Sequence, residues 1–189
     1  MIEKKIIETQ KQEFKIKEYI KNKFEYISDV KVERIPLGEK VVIKSGKPRT
    51  IKREDIEKLL EVLKNDFKLE NPKIEIVPIE NFFLDAECVA EYIKKALERY
   101  GPLSFKVYAY RALEKIKKAG AIGAEIRLSG KLPSERARTW RFHFGYMIKS
   151  GKYREELVDY AKKQAFTIPG VIGIKVSIIK SKEVPDKIE

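Results

Sequence analysis

The hydrophobic pattern of this 189-residue chain alternates between two periods, and this alternation limits the folds that it can adopt. A period near 3.6 places apolar side chains on one face of a helix, and a period of two places them on one face of a strand. The helical period occurs in the segments 8–24, 53–67, 86–100 and 104–118. The strand pattern occurs in 30–36, 40–45, 73–79, 124–130, 138–147 and 171–179, and 160–166 fits either structure. We therefore predict an α+β protein with two domains.

Turn residues predict where the elements and the domains end. Pro36, Leu37 and Gly38 predict a turn that pairs the first two strands as a hairpin, and Asp85 is a favourable N-cap for the third helix. Gly101-Pro102 interrupts the helical pattern, so we place the domain boundary there. This gives a first domain at 1–101, a second at 102–180, and a charged tail at 181–189 that has no packing pattern.

The net charge of +12 is unevenly distributed along the chain. Residues 1–100 contain 22 Lys and Arg against 20 Asp and Glu, a net charge of +2. Residues 101–189 contain 19 against 9, a net charge of +10. A surface that is charged for solubility alone would be mixed in sign. The second half is therefore predicted to bind a polyanion such as nucleic acid.

Several classes of site are excluded by single residues. Cys88 is the only cysteine and His143 the only histidine, so a disulfide framework, a multi-cysteine zinc site and a two-histidine metal site are impossible within the chain. Three Ser-Gly-Lys triplets lack both the upstream glycine and the following Ser or Thr of a phosphate-binding P-loop. No apolar run approaches the ~18 residues of a membrane-spanning helix. We expect no catalytic residues, metal or cofactor, no membrane association, and a cytoplasmic location.

The basic residues of the second half form the predicted RNA-binding site. Lys and Arg side chains on a loop between strands can contact several phosphates, and a basic helix adds a second surface. The predicted site residues are Lys106, Arg111, Lys115, Lys118, Arg127, Lys131, Arg136, Arg138, Arg141 and Lys149. Trp140, Phe142, Phe144 and Tyr146 share one face of the strand 138–147. Their alternation favours the core face of the strand over a platform for base stacking.

Long segments of the sequence also resemble one protein family. "GAEIRLSGKLPSERART", "FGYMIKSG" and "PGVIGIKVSI" closely resemble the C-terminal domain of small-subunit ribosomal protein S-three in its archaeal and eukaryotic style. "ERIPLGEKVVI", "FKLENPKIEIVPIEN" and "LDAECVAEYIKKALER" follow the family order, so the resemblance covers nearly the whole chain. It implies a type II KH-like first domain and a C-terminal α/β domain with a mixed sheet. The implied partners are ribosomal RNA in the head of the small subunit, neighbouring head proteins, and messenger RNA at the channel where it enters.

Two positions depart from the pattern that the resemblance implies. KH domains clamp a nucleotide backbone with a G-x-x-G loop, but the segment between Ser45 and Ile56 has only Gly46, and Pro48 stiffens it. Weaker RNA contacts are expected there from Lys44, Lys47, Arg49, Lys52 and Arg53. The family often has adjacent arginines at the start of the first helix of the second domain, where this chain has Lys106 and Val107, while Arg111 matches.

The resemblance predicts a structural, non-enzymatic constituent of the small ribosomal subunit that supports translation. The alternative is a free-standing KH-type RNA-binding regulator or RNA chaperone, which would depend on the missing G-x-x-G clamp. A metal-dependent nuclease is a third class, but the basic half lacks the acidic cluster that it would need.

Overall fold

The computed structural model describes residues 2–35, 38–67, 69, 71–132 and 134–180, with side chains from residue 6 onward. The chain divides between Glu80 and Asn81 into two compact units. Each unit has its own buried apolar cluster and its own sheet. The α+β class predicted from the alternating hydrophobic periods is confirmed.

The first unit packs two helices on a three-stranded mixed sheet. Its elements are α1 (Ile2–Lys23), β1 (Ile27–Ile35), β2 (Gly38–Ser45), α2 (Arg53–Asn65) and β3 (Lys73–Pro78). In the sheet order β1-β2-β3, the first pair is antiparallel and the second is parallel. The buried cluster consists of Ile16, Ile20, Ile27, Val30, Val41, Ile43, Leu59 and Leu63. The predicted hairpin is confirmed because Ile35 pairs with Gly38, although its turn residues Pro36 and Leu37 lie outside the described residues.

The second unit has a four-stranded sheet. Its elements are α3 (Ala86–Tyr100), α4 (Phe105–Lys118), β4 (Gly123–Lys131), β5 (Ala137–Gly145), α5 (Lys152–Leu157), β6 (Val158–Thr167) and β7 (Gly170–Ile179). The strand order is β5-β4-β7-β6, and every neighbouring pair is antiparallel. The prediction of a mixed sheet for this part of the chain is therefore wrong, because the sheet is purely antiparallel. The connections from β4 to β5 (132–136) and from β6 to β7 (168–169) are too short to join parallel strands.

Helix α3 belongs to the second unit, so the predicted boundary at residue 101 differs from the division in the structure. Val89, Ile93 and Leu97 of α3 are buried in the same cluster as Ile174 and Val176 of β7. The apolar side of α3 packs on the second sheet, and this packing makes the helix part of the second unit.

Local sequence signals mark both ends of α3, as predicted. The Asp85 carboxylate accepts a hydrogen bond of 3.0 Å from the Cys88 backbone nitrogen, which confirms the N-cap. Gly101 ends α3 with a φ of +77°, a conformation that favours glycine. Gly101-Pro102 is therefore a connection between two helices of one unit.

Three segments show where periodicity was insufficient. The ambiguous segment 160–166 is part of strand β6, and the short helix α5 was not predicted. Helix α1 begins at Ile2, six residues before the predicted start at position 8. The predicted tail, 181–189, lies outside the described residues.

Candidate nucleic-acid interface

The two faces of the second sheet have opposite chemistry. Ala124, Ile126 and Leu128 of β4 point into the core, where α3 and α4 pack. Because side chains alternate along a strand, Glu125 and Arg127 lie on the opposite face. We call this opposite face, formed by β5, β4, β7 and β6, the outer face.

Four basic residues cross the outer face in register. Arg141 pairs with Arg127, Arg127 with Lys175, and Lys175 with Lys162. Since neighbouring strands lie about 4.8 Å apart, the four positions span roughly 14 Å. We call these four residues the cation row. Neither lysine of the row has an ion-pair partner among the residues that the structure describes.

Sequence reasoning found two members of the cation row and missed the other two. Arg127 and Arg141 were among the predicted RNA-binding residues. Lys175 carries the only charge in the strand "VIGIKVSII", and its outward position could have been read from the alternation. Lys162 lies in the segment of ambiguous period, so no face could be assigned to it before the strand pairing was known.

A buried carboxylate holds the two arginines of the cation row. The Glu125 side chain is only 5% exposed, and its Oε1 atom accepts a hydrogen bond from Arg127 Nε and lies 3.2 Å from Arg141 Nε. Burial raises the pKa of Glu125, but the hydrogen bond from Arg127 and the charges of Arg127, Arg141 and Lys149 outweigh burial and lower it overall. Lys149, another predicted site residue, thus contributes to the electrostatics of this carboxylate.

The lowered pKa of Glu125 predicts an acid-sensitive contribution to stability. A carboxyl group whose pKa is lower when folded stabilises the fold above its unfolded pKa of about 4.3 and loses this effect as pH falls through the folded value. We expect the stability advantage of the wild type over Glu125→Gln to decline between about pH 5 and pH 3. Urea unfolding followed by Trp140 fluorescence at several pH values measures it. Glu135→Gln, which changes an exposed glutamate of the β4–β5 connection, should show no such decline; a constant advantage for the wild type would contradict the prediction.

The chain crosses closely over the start of β4 immediately after β5. A Cβ atom at Gly123 would lie 1.8 Å from the Tyr146 carbonyl oxygen, so only glycine fits beneath this crossing. Gly145 turns the chain with a φ of +64°. Lys149 follows this crossing, and its charge acts on Glu125.

The predicted cations of α4 lie in the helix layer, on the other side of the sheet from the cation row. Lys118 pairs with Glu114 at 2.7 Å, and Lys115 donates to the Tyr92 hydroxyl at 3.2 Å. Arg111 is exposed on the same helix. The structure therefore places the ten predicted RNA-binding residues of the second unit on more than one surface.

The β4–β5 connection and the strand ends beside it carry the third group of predicted cations. Lys131, Arg136 and Arg138 are all exposed there. Trp140 Nε1 donates to the Leu132 carbonyl at 3.1 Å, which fixes one side of this connection. These three cations extend from the end of the sheet, beyond the pair Ser129 and Thr139.

The aromatic face of β5 is largely a core face, as the alternation favoured. Phe142 is buried, and Trp140 and Phe144 pack partly buried against the same cluster. Tyr146 differs, because it follows the last residue of β5 and is exposed. Three of the four aromatic residues therefore contribute packing.

Comparison with known proteins identifies the family. The family model described as "Ribosomal protein S3, C-terminal domain" matches residues 93–178. The small ribosomal subunit protein uS3 of Nanoarchaeum equitans is 41% identical over 164 residues, which cover 86% of this chain and 71% of the relative. The chain belongs to the uS3 family. The uS3 proteins of Methanocaldococcus jannaschii and Thermofilum pendens are each 37% identical, over 95% and 98% of this chain and 88% and 93% of their own lengths. The resemblance read from the sequence is confirmed.

At the start of α4, where the resemblance implied adjacent arginines, Lys106 is the one basic residue and it contacts an aromatic ring. Lys106 Nζ lies 4.7 Å from the centre of a Trp140 ring, a distance at which a cation and an aromatic face attract each other. Val107 is the neighbouring residue, and its side chain is exposed.

The loop between β2 and α2, where the sequence lacks a G-x-x-G motif, forms hydrogen bonds between its own backbone groups. Between β2 and α2, residues Pro48–Thr50 form a single 3-10 turn. The backbone nitrogens of Thr50 and Ile51 donate to the carbonyls of Lys47 and Pro48 at 3.1 and 3.2 Å. These N–H groups are hydrogen-bonded within the loop, so they are not directed at a phosphate.

The charges around this loop also differ from those of a phosphate clamp. Lys47 Nζ lies 4.4 Å from the centre of the Tyr26 ring. Glu54 and Asp55 occupy the first turn of α2, where acidic side chains already neutralise the positive end of the helix. The other predicted cations of the first unit, Lys44, Arg49, Lys52 and Arg53, are exposed.

Metal-binding and membrane-spanning features are absent from the described residues. Within that part of the chain, no group of three or more His, Cys, Asp or Glu side chains is arranged to hold a metal ion. No helix in the described ranges is both long enough and apolar enough to cross a membrane.

Proposed function

We propose that this chain is a structural constituent of the small ribosomal subunit that binds ribosomal RNA in the head and supports translation in the cytoplasm. The observation that carries the proposal is membership of the uS3 family over both units. Relatives named as small ribosomal subunit proteins align with 86–98% of the chain at 37–41% identity. Such a role needs binding and packing surfaces, and no reacting group.

The charge distribution supports ribosomal RNA as the main partner. With the boundary at Glu80, the second unit contains 22 Lys and Arg against 13 Asp and Glu, and the first contains 19 against 16. Net charges of +9 and +3 follow. A polycationic unit gains affinity for RNA by releasing counterions from the phosphates that it contacts. The proposed contacts are the exposed cations of the second unit, with neighbouring head proteins as further partners.

A place beside the channel through which messenger RNA enters is the finer part of the proposal. Lys106 at the start of α4 and Arg111 in the middle of the same helix would contact the incoming strand. The resemblance implies that adjacent arginines at this place help to unwind the incoming messenger RNA. With Val107 beside Lys106 and Lys106 in contact with Trp140, we expect this chain to contribute less to such unwinding.

The free-standing regulator is the weaker proposal. Such a protein would hold single strands through the first unit, but the loop between β2 and α2 uses its backbone donors internally. Its remaining contacts would be the side chains of Lys47, Arg49 and Lys52, which attract phosphates without holding them in a fixed geometry.

Co-sedimentation tests the proposed function. The tagged full-length chain, expressed in an archaeal host, should migrate with small subunits in a native sucrose gradient and remain there in moderate salt. Electrostatic RNA binding weakens steeply as salt rises, so persistence is expected only of a protein that is also packed against neighbouring parts of the subunit. A chain found only in the light fractions, while the host's other small-subunit proteins migrate with the subunit, would contradict the role.

A further inference from the structure

We propose that the outer face of the second sheet binds an RNA phosphodiester backbone along the cation row, and that Glu125 positions Arg127 and Arg141 for this contact. The inference rests on the proposed function, since it names the surface that would meet ribosomal RNA. It assigns roles to Lys162 and Lys175, which are not among the RNA-binding residues predicted from the sequence.

The cation row is unfavourable for the isolated chain. Each of its three cross-strand pairs places two positive side chains directly opposite each other, and like charges in this position destabilise a sheet. Violations of a local folding rule are expected at functional positions. Glu125 already offsets the repulsion between Arg127 and Arg141, and an anionic strand lying across the sheet would relieve the two repulsions that involve Lys175.

Glu125 preorganises one end of the row. Both arginines contact the same buried carboxylate through Nε, and a guanidinium group has five N–H donors. Each arginine therefore keeps donors for an anion while its side chain is held in place. The Arg127 and Arg141 side chains are 41% and 49% exposed, so a phosphate can reach them. Fixing the side chains before binding reduces the entropy lost on binding.

The residues beside the row leave room for a ribose-phosphate chain. On one side, small or uncharged residues run across the four strands in register: Thr139, Ser129, Gly173 and Gln164. Gly173 has no side chain, and a Cβ there would lie 2.8 Å from Ser129 Oγ. The hydroxyl and amide groups of this neighbouring row suit the 2′-hydroxyl of RNA, which both donates and accepts hydrogen bonds.

Exposed aromatic residues on the edge strand favour RNA over an acidic protein segment. Along the outer face of β6, Lys162 lies between Tyr160 and Phe166, which are 47% and 67% exposed. Exposed aromatic rings beside cations are the usual means of stacking unpaired bases while phosphates are neutralised. An acidic peptide would use the cations but would gain no stacking from these rings.

The first experiment removes the two lysines of the row. Lys162→Gln with Lys175→Gln in the full-length chain should weaken binding to a transcript of the head domain of small-subunit ribosomal RNA by about tenfold or more at 0.1 M salt. The slope of log affinity against log salt should fall by about two, one for each phosphate that is no longer neutralised. The matched control is Lys58→Gln with Lys64→Gln, two exposed lysines of α2, which should bind as the wild type does.

The second experiment asks whether Glu125→Gln strengthens or weakens RNA binding. Glu125→Gln removes a negative charge from a basic surface, so simple attraction predicts tighter RNA binding. The positioning role predicts weaker binding, by about fivefold for one displaced phosphate contact. Trp140 fluorescence checks that the second unit remains folded. Tighter binding by a folded Glu125→Gln variant would overturn the role of Glu125.

Failure of this inference is distinguishable from failure of the proposed function. If the wild type binds the transcript and both lysine double variants bind equally well, the outer face is not the contact and the inference is overturned, while the ribosomal role stands. If the wild type itself fails to bind the transcript and to co-sediment with small subunits, the proposed function is overturned, and the inference with it.

Discussion

Replacing Arg136, Arg138 and Arg141 together by glutamate should weaken binding to the head-domain transcript by at least about 100-fold. Hydrogen bonds to charged groups contribute about 1.5 kcal/mol or more each, and about 1.4 kcal/mol corresponds to tenfold in affinity. Removal of two of the three contacts is enough for this effect. Filter binding or fluorescence anisotropy over a range of salt concentrations measures both the affinity and the salt slope.

The matched comparison is Lys47→Glu, Arg49→Glu and Lys52→Glu in the first unit. This variant reverses the same number of charges, but its loop satisfies its own backbone donors and Lys47 already lies over Tyr26. We expect a much smaller decrease in affinity. Equal decreases from the two triple variants would mean that this loop is a full RNA contact and would contradict the prediction.

A narrower variant separates RNA contact from folding. Arg141→Glu places a second carboxylate beside the buried Glu125, so the triple variant is expected to lose some stability. Arg136→Glu with Arg138→Glu leaves that ion pair intact, because both residues are exposed in the segment just before Trp140. This double variant should still lose at least about tenfold in affinity.

Phe105→Ala should destabilise the second unit by about 3–5 kcal/mol, the usual cost of removing a buried phenylalanine side chain from a core. Phe105 is 1% exposed, and its ring lies 5.4 Å from Trp140 and 6.2 Å from Phe142 between ring centres. Its removal would leave a cavity between the start of α4 and the sheet, and close-packed neighbours fill such a cavity only in part.

Trp140 is the only tryptophan of the chain, so its fluorescence during urea unfolding reports the second unit alone. Phe166→Ala is the matched control, since it makes the same chemical change on a ring that is 67% exposed. It should change the free energy of unfolding by less than about 1 kcal/mol. Equal effects of the two changes would contradict the assignment of Phe105 to the core.

Residue order alone was sufficient for most of the element types, for the family and for part of the charged surface. The period of two in "VIGIKVSII" and the 3.6 period of 86–100 are properties of neighbouring residues, so they can be read without knowing the fold. Asp85 could be predicted as a cap for the same reason: its carboxylate accepts a hydrogen bond from a backbone nitrogen only three residues away. The excess of Lys and Arg in the second half is likewise a property of composition.

Tertiary structure decided what depends on residues far apart in the chain. The assignment of α3 to the second unit follows from its burial against β6 and β7, which begin more than 50 residues after the helix ends. Strand order and register bring Arg127, Arg141, Lys162 and Lys175 into one row and place the α4 cations on the other side of the sheet. A sequence specifies which side chains alternate along each strand, but only the pairing of the strands fixes which of them become neighbours.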